Sequence, residues 1–377
     1  MSASPVLANL SAGATVLSPD RGRVVTFDRE GRWLYYFRRG ETFKRSLGSE
    51  VHLRFRQPTR QRRLLERSEA LALFSEVYGL AQELATRSVV EVQQRLRDEV
   101  LRWTPKRLVE EAGRFASAYR PIAILPPDQY LSVVLQATEG CTWNACTFCN
   151  FYMDRPLRVQ RPGEFREHAE SVKQLLGEGL RLRRGIFLGD GNALALSNER
   201  LDPLLEVARE VFPGRDLFGF VDLYSGDRRT ADDWAHLAGH GLRRIYVGME
   251  TGLDELLEWV DKPGSARDLQ RFVETLKQAG LQVTLIVMVG LGGEEYRLRH
   301  RQATLELLLG LPLDRQDLVY LSPFVEHRDG VYRQRRVAAA LTPMDEVEVE
   351  AELAHLAAQV RGRGIRASRY DIREFVY

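Results

Sequence analysis

The hydrophobic pattern of this chain changes character twice. Between residues 22 and 57 it alternates in short runs, "RVVTFD", "WLYYFR", "FKRSL" and "VHLRFR", with Gly31, Gly40 and Gly48 at the corners. Alternation over runs of this length predicts a β-meander. Aromatic and basic side chains take alternate positions, so one face is expected to pack while the other stays wet. From about Leu64 to Tyr119 apolar residues recur at three- and four-residue spacing, as in "RLLERSEALALFSEVYGLAQELA" and "SVVEVQQRLRDEVLRW", which predicts helices. "PIAILPPDQY" then reads as a linker, because proline interrupts helices and strands alike.

Beyond the linker the pattern repeats as strand, loop, helix. "LSVVLQAT", "GIFLGD", "LFGFVDL", "RRIYVGME", "QVTLIVMVG" and "DLVYLSPF" are the predicted strands. Helical runs such as "NERLDPLLEVAREVF", "ARDLQRFVETLKQAG" and "PMDEVEVEAELAHLAAQVRG" separate or follow them. Short apolar strands alternating with helices imply a parallel sheet with helices outside it. Right-handed crossovers would curl that sheet. The expected fold is therefore α/β, a partial (β/α)6 TIM-like barrel preceded by a small β-meander and a helical segment. A doubly wound sheet, the alternative, needs a reversal in strand order that sequence does not display. The expected domains are a basic and aromatic module over 1–60, a helical segment with linker over 61–125, and the barrel with a C-terminal extension over 126–377. The closing "SRYDIREFVY" is expected as a last strand or a lid.

Charge alters this picture in one region. The chain has 377 residues and a net charge of only +2, yet residues 21–63 hold thirteen Lys and Arg against four Asp and Glu. Phe27, Trp33, Tyr35, Tyr36, Phe37, Phe43 and Phe55 are interleaved with them. Basic plus aromatic describes a nucleic-acid surface. The bland alternative is a coding bias, since only five of the 54 basic residues of the whole chain are lysine. The first residues, "MSASPVLANLSAGATVLS", lack the basic and apolar regions of a secretory signal. No apolar run reaches the ~18 residues of a membrane helix. A cytoplasmic protein with no membrane association is expected.

All three cysteines, Cys141, Cys146 and Cys149, lie in "GCTWNACTFCNFY". An odd, tightly clustered set points to metal ligation more than to disulfides. A structural zinc site would need a fourth ligand, and the nearest downstream histidine is His168. A plant-type ferredoxin cluster shares the C-x4-C-x2-C spacing but needs a further cysteine, which this chain lacks. A buried, inert group of thiols beside Trp143 and Phe148 is a third reading. The fourth is a 4Fe–4S cluster on three thiolates, with one iron left open to a bidentate ligand such as the amino and carboxylate groups of an amino acid.

Here the sequence resembles the radical S-adenosylmethionine enzymes, whose usual signature is C-x3-C-x2-C with an aromatic before the third cysteine. Phe148 holds that aromatic place, and the first gap is one residue longer. The resemblance spans roughly residues 130–325. "FLGDGNAL" stands where the family has a Gly-Gly-Glu-type motif, with Gly189, Asp190, Gly191 and Asn192 in place and Asp190 for Glu. "VGMETG" resembles the branch that includes oxygen-independent coproporphyrinogen oxidases and elongator-type enzymes, and implies that Glu250 and Thr251 face the cofactor. "IVMVGLGG" is similar to the family's Gly-x-Ile-x-Gly motif, which implies that Gly290, Gly292 and Gly293 lie along adenine. Singly these are turns and helix starts. Their joint order at carboxyl ends of predicted parallel strands carries the resemblance. It implies a 4Fe–4S cluster on Cys141, Cys146 and Cys149, S-adenosylmethionine as cofactor, a flavodoxin- or ferredoxin-type electron donor, and oxygen sensitivity. The implied chemistry is reductive cleavage to a 5′-deoxyadenosyl radical that abstracts hydrogen from substrate.

The reaction outcome and substrate stay open. With no further cysteine there is no auxiliary cluster, which argues against methylthiotransferases and sulfur insertion. No Asp-x-His-x-x-Gly motif suggests cobalamin. Substrate-contact candidates are Tyr152, Asp154 and Arg155 after the cysteines, Asp222 and Tyr224 after the third strand, and Glu326, His327 and Arg328 after the sixth. His300 falls in a predicted helix and is expected to be structural. The expected function is a radical enzyme acting on an unknown small organic substrate. The alternatives are an RNA-modifying radical enzyme using the basic N-terminal module, and a non-enzymatic zinc or iron–sulfur adaptor.

Overall fold

The computed structural model describes residues 6–57 and 60–377, so the first five residues, and with them the start of the expected 1–60 module, lie outside it. The chain opens with an antiparallel sheet in sequential order: β1 (Leu7–Leu10), β2 (Ala14–Asp20), β3 (Arg23–Asp28), β4 (Trp33–Arg38), β5 (Glu41–Arg45), β6 (Val51–Arg56) and β7 (Arg60–Leu64). The expected meander is its centre. β1, β2 and β7 extend it at both ends, and β7, with the sequence "RQRRL", has no apolar alternation to betray it. It is a strand because β6 offers it a backbone ladder.

Three helices cover one face of this sheet: α1 (Arg67–Arg87), α2 (Val90–Asp98) and α3 (Pro105–Ala118). Phe27, Trp33, Tyr36 and Phe43 point into that interface and pack with Phe74, Val77, Tyr78 and Leu84 of α1. The aromatics are thus core. Many of the arginines are also committed. Arg32 is fully buried, bonding Asp28 at 2.9 Å and Glu111 of α3 at 3.0 Å, and donating to Leu175 O at 2.8 Å in the barrel. Arg45 donates to Trp33 O at 2.7 Å, Arg29 pairs with Glu99, and Arg62 reaches Asp371.

The second sheet runs β8 (Val133–Gln136), β11 (Ile186–Gly189), β12 (Leu217–Val221), β13 (Leu242–Glu250), β14 (Gln282–Val289), β15 (Leu318–Pro323) and β16 (Arg366–Arg369), every neighbour parallel. The order has no reversal, which removes the doubly wound alternative. Six strands are those expected, and β16 is a seventh on the far edge. The helices are α4 (Pro162–Leu176), α5 (Asn198–Val211), α6 (Leu223–Gly226), α7 (Ala231–Gly239), α8 (Asp254–Trp259), α9 (Ala266–Gln278), α10 (Gly293–Gly310), α11 (Val331–Ala338) and α12 (Glu346–Gly362). β9 (Thr138–Glu139) and β10 (Arg158–Val159) form a two-residue ladder outside the sheet.

The tail after β16 crosses to the other edge. Tyr377 Oη accepts from Val134 N at 3.0 Å and donates to Ser132 O at 3.0 Å, so its phenol occupies backbone groups of β8. An open strand edge is a liability that this contact covers. Inside the barrel, rings of Phe187, Phe220 and Tyr246 meet at 5.1–5.8 Å, and Tyr320 meets Tyr370 at 5.3 Å. At the end where the strands begin, Asp128 accepts from Tyr246 Oη at 2.6 Å and Tyr320 Oη at 2.8 Å. The opposite end carries the cavity.

Removing one partner of a buried ion cluster leaves the others unpaired in a low dielectric. Arg32→Met is therefore expected to lower stability by about 3–5 kcal/mol in equilibrium denaturation, while Arg21→Lys at an exposed position changes it by less than about 0.5 kcal/mol.

Candidate active site

The carboxyl ends of the parallel strands surround an open cavity of about 1100 Å³, solvent-filled mouth included. Cys141, Cys146 and Cys149 line it, and all three are free thiols. Their loop is an excursion pinned at its neck by the β9–β10 ladder. Two glycines lock it to the turn after β11. Gly191 has φ +55°, and a Cβ there would stand 2.0 Å from Gly140 O. Gly140 has φ +77°, and a Cβ there would meet Pro156 O at 2.8 Å. Only glycine admits both the backbone twist and the approach.

Further bonds hold the loop from the other side. Thr147 N and Oγ1 donate to Val260 O, Trp143 Nε1 donates to Asp261 O at 2.8 Å, and Tyr332 N donates to Thr147 O at 3.1 Å. Phe148 packs with Leu256, Val260, Leu291 and Tyr332 in a small separate core. Tyr332 Oη also accepts from Gly292 N at 2.9 Å, linking the cysteine loop to the "GLGG" turn.

β13 ends on Glu250, a non-glycine residue at φ +58° beside a register shift in the β13–β14 ladder. Such strain persists where surroundings over-determine it. Here the carboxylate accepts from Lys262 Nζ at 3.0 Å, both groups line the cavity, and a Cβ on Gly248 would stand 2.3 Å from Glu250 Oε1. Burial alone would lower the Lys262 pKa, but Glu250 and Cys146 beside it outweigh burial and hold it above its ordinary value. Sequence reading missed Lys262. Its signal is thin: one of five lysines, in "DKPG" just after α8.

Asn192 and Asp222 face the cavity together. Asn192 Nδ2 donates to Thr142 Oγ1 at 2.7 Å and to Asp222, while Asp222 caps α6 through Ser225 N at 2.7 Å. Asp190 points the other way. Tyr152 Oη donates to it at 3.1 Å, Arg155 stands 3.9 Å away, and burial pushes its carboxyl up to about 6.

Residues 135–308 match the model described as the Radical SAM superfamily. This chain carries a radical SAM domain. Among curated proteins, the heme chaperone HemW of Bacillus subtilis is 28% identical over 167 residues, 44% of this chain and 43% of HemW. The chain thus spans less than half the length of the curated relative it matches. Among solved structures, coproporphyrinogen III oxidase (HemN) from Escherichia coli aligns at TM-score 0.46 and 16% identity, covering 67% of this chain and 56% of HemN. Methylornithine synthase (PylB) aligns at TM-score 0.44 and 14% identity, covering 78% and 81%. The assignment rests on the family match.

The superfamily uses a 4Fe–4S cluster and S-adenosylmethionine, and the donors of this radical SAM domain fit the cluster. Zinc with Zn–S bonds of about 2.3 Å draws its sulfurs to roughly 3.8 Å from one another. Among the described residues, the one trio of potential ligands with donor atoms all within 4.8 Å is Asp202, His236 and His240 on α5 and at α7. The three thiols do not form such a trio. His168 is unavailable as a zinc ligand. Its Nε2 accepts from Gln136 N at 3.0 Å, its Nδ1 lies 3.0 Å from Ala118 O, and burial lowers its pKa to about 4. Burial also pushes the Cys146 thiol up to about 12 and raises Cys149, so ligation must release protons.

Several expected contacts lie elsewhere. Gly189 and Asp190 do not line the cavity; Gly191 and Asn192 do. Thr251 bonds His300 Nδ1 at 2.6 Å and Leu253 N at 3.0 Å behind the wall, and burial holds His300 down to about 4, a structural histidine. Gly290 and Gly292 form the turn after β14 without lining the cavity. Tyr224 is 45% exposed and lies under the Arg228 guanidinium. Glu326 pairs with Arg336 at 2.6 Å and anchors α11. Tyr152 and His327 line the cavity, while Asp154 pairs with Arg155.

Gly191→Ala is expected to preserve the circular-dichroism spectrum but lower iron retention after reconstitution, because the Cβ displaces the cysteine loop. Asp190 gives a pH test. Its raised pKa means the folded protein holds a proton more tightly than the unfolded chain. Its contribution to stability is full below the unfolded value near 3.8 and is lost as pH rises through about 6. Asp190→Asn is expected to abolish a loss of roughly 2 kcal/mol between pH 4 and pH 7, measured by urea denaturation across that range.

Proposed function

We propose that this protein is a radical S-adenosylmethionine enzyme acting on a small organic substrate. The observation that carries this is the meeting, in one cavity at the carboxyl ends of parallel strands, of three unbridged thiols with the Glu250–Lys262 pair. When bound, the 4Fe–4S cluster supplies the electron that cleaves S-adenosylmethionine to methionine and the hydrogen-abstracting 5′-deoxyadenosyl radical.

The chain's own part is positioning. Cys141, Cys146 and Cys149 would hold three irons. Glu250 and Lys262 offer an acceptor and a donor side by side, which suits the ammonium and carboxylate of an amino acid. Asn192 is fixed by Thr142 and Asp222 and offers an oriented amide. Packed aromatic rings line and underlie the cavity.

The adaptor reading leaves this ion pair and cavity without a purpose. The RNA reading draws little support from the N-terminal sheet: Phe37 stays exposed, but Phe27, Trp33, Tyr36 and Phe43 are core and Arg29, Arg32, Arg38, Arg45, Arg62 and Arg63 pair within the chain. HemW's name brings heme handling as a thought for this chain, yet the match covers the domain rather than either whole protein. No helix of the described chain is long and apolar enough to cross a membrane.

The test is anaerobic reconstitution with iron and sulfide, then dithionite, S-adenosylmethionine and quantification of 5′-deoxyadenosine. Alanine at any one of the three cysteines should abolish release, and full release from even one such variant would sink the ligand assignment. Glu250→Gln should weaken S-adenosylmethionine binding by about tenfold or more with iron content intact. Loss of iron in that variant would make Glu250 structural.

A further inference from the structure

We infer that the substrate is a small, largely apolar molecule without a fixed negative charge, oriented through one polar atom by His327. This rests on the radical reading above and narrows it.

The cavity has two unlike halves. The cysteines, Asn192, Asp222, Glu250 and Lys262 make one side polar. The other is walled by Phe220, Ile286, Met288, Phe324 and Ile372, with the ring of Tyr370 turned in and its hydroxyl donating to Leu125 O at 3.0 Å. The polar half has the donors and acceptors a zwitterionic cofactor needs, so the apolar half is left for substrate. The cluster and the cofactor would share this one cavity with the substrate, which leaves the substrate only part of it.

Charge decides the class. Apart from the imidazole of His327, Lys262 is the one cationic side chain lining the cavity among the described residues, and Glu250 holds it at 3.0 Å. Asp222 adds a second carboxylate to the wall. A carboxylate or phosphate entering this space would lose its water and meet more fixed negative than positive charge, with no free guanidinium to pair with. Polycarboxylates and nucleic-acid phosphates are thereby disfavoured. His327 sits half-buried at the rim, and among the described residues its imidazole has no hydrogen-bond partner. With Ser322, a buried hydroxyl of β15 that also lines the cavity, it is a polar group available to orient a substrate.

The test compares two probes on one ring skeleton, neutral 2-naphthol and anionic 2-naphthoate. Each is dialysed to equilibrium against the anaerobically reconstituted full chain with S-adenosylmethionine present. The expected result is 2-naphthol held at least about tenfold more tightly. His327→Ala should lower 2-naphthol affinity severalfold, and Ile286→Lys, which puts an ammonium in the apolar wall, should shrink or reverse the preference. Equal or tighter binding of 2-naphthoate, no binding of 2-naphthol up to millimolar concentration, or no response to either variant overturns the inference. Release of 5′-deoxyadenosine is read on the same samples. Charge preference without release would overturn the radical reading and leave the ligand class standing. Release without preference would do the reverse.

Discussion

Every crossover of the large sheet brings the chain back to the same end before the next strand begins. This single constraint puts each loop that follows a strand on one rim. Residues as distant in sequence as Cys141, Gly191, Glu250 and His327 therefore meet around one cavity. At the opposite end Asp128 ties Tyr246 and Tyr320 together beneath a layer of aromatic rings. The edges left by an incompletely closed barrel are managed by the tail, where Tyr377 occupies the backbone of β8.

Within that frame the cysteine loop is held by backbone rather than by its thiols. The β9–β10 neck, the contact of Gly191 with Gly140 O, and the bonds to Val260 and Asp261 fix its path from three directions. The same segment after α8 that receives these bonds delivers Lys262 to Glu250. The ligand loop and the ion pair are thus one mechanical unit, and Tyr332 extends it to the "GLGG" turn. The half-buried, raised thiols of Cys146 and Cys149 suit a loop whose thiols are protonated when empty and ionise on ligation.

The N-terminal sheet shows why composition misleads about partners. An excess of arginine interleaved with aromatics describes a surface only if those side chains reach the surface. The pleat, with an irregularity of the β3–β4 ladder at Leu34, instead sends Phe27, Trp33, Tyr36 and Phe43 into a core with α1. Arg32 and Arg45 follow them inside because Asp28 and Glu111 are there to meet them. Glu111 lies on a helix far along the chain, so no local pattern announces the pairing.

Sequence by itself determined the barrel's six central strands, since strand and helix periods are local and strong there. It also located the thiols, and the order of motifs after successive strands located the rim on which they meet. Tertiary structure decided which motif residues face the cavity. Asp190 and Thr251 turn away because Tyr152 and His300 offer buried partners, whereas Lys262 turns in because a strained Glu250 waits for it. It also made a strand of β7, whose own residues carry little apolar pattern, and it set the last strand β16 at Arg366–Arg369, overlapping the expected closing segment only at Ser368 and Arg369; a neighbouring edge supplies the hydrogen bonds of both. The side a residue faces depends on charges and edges contributed from elsewhere in the chain, and these become neighbours only on folding.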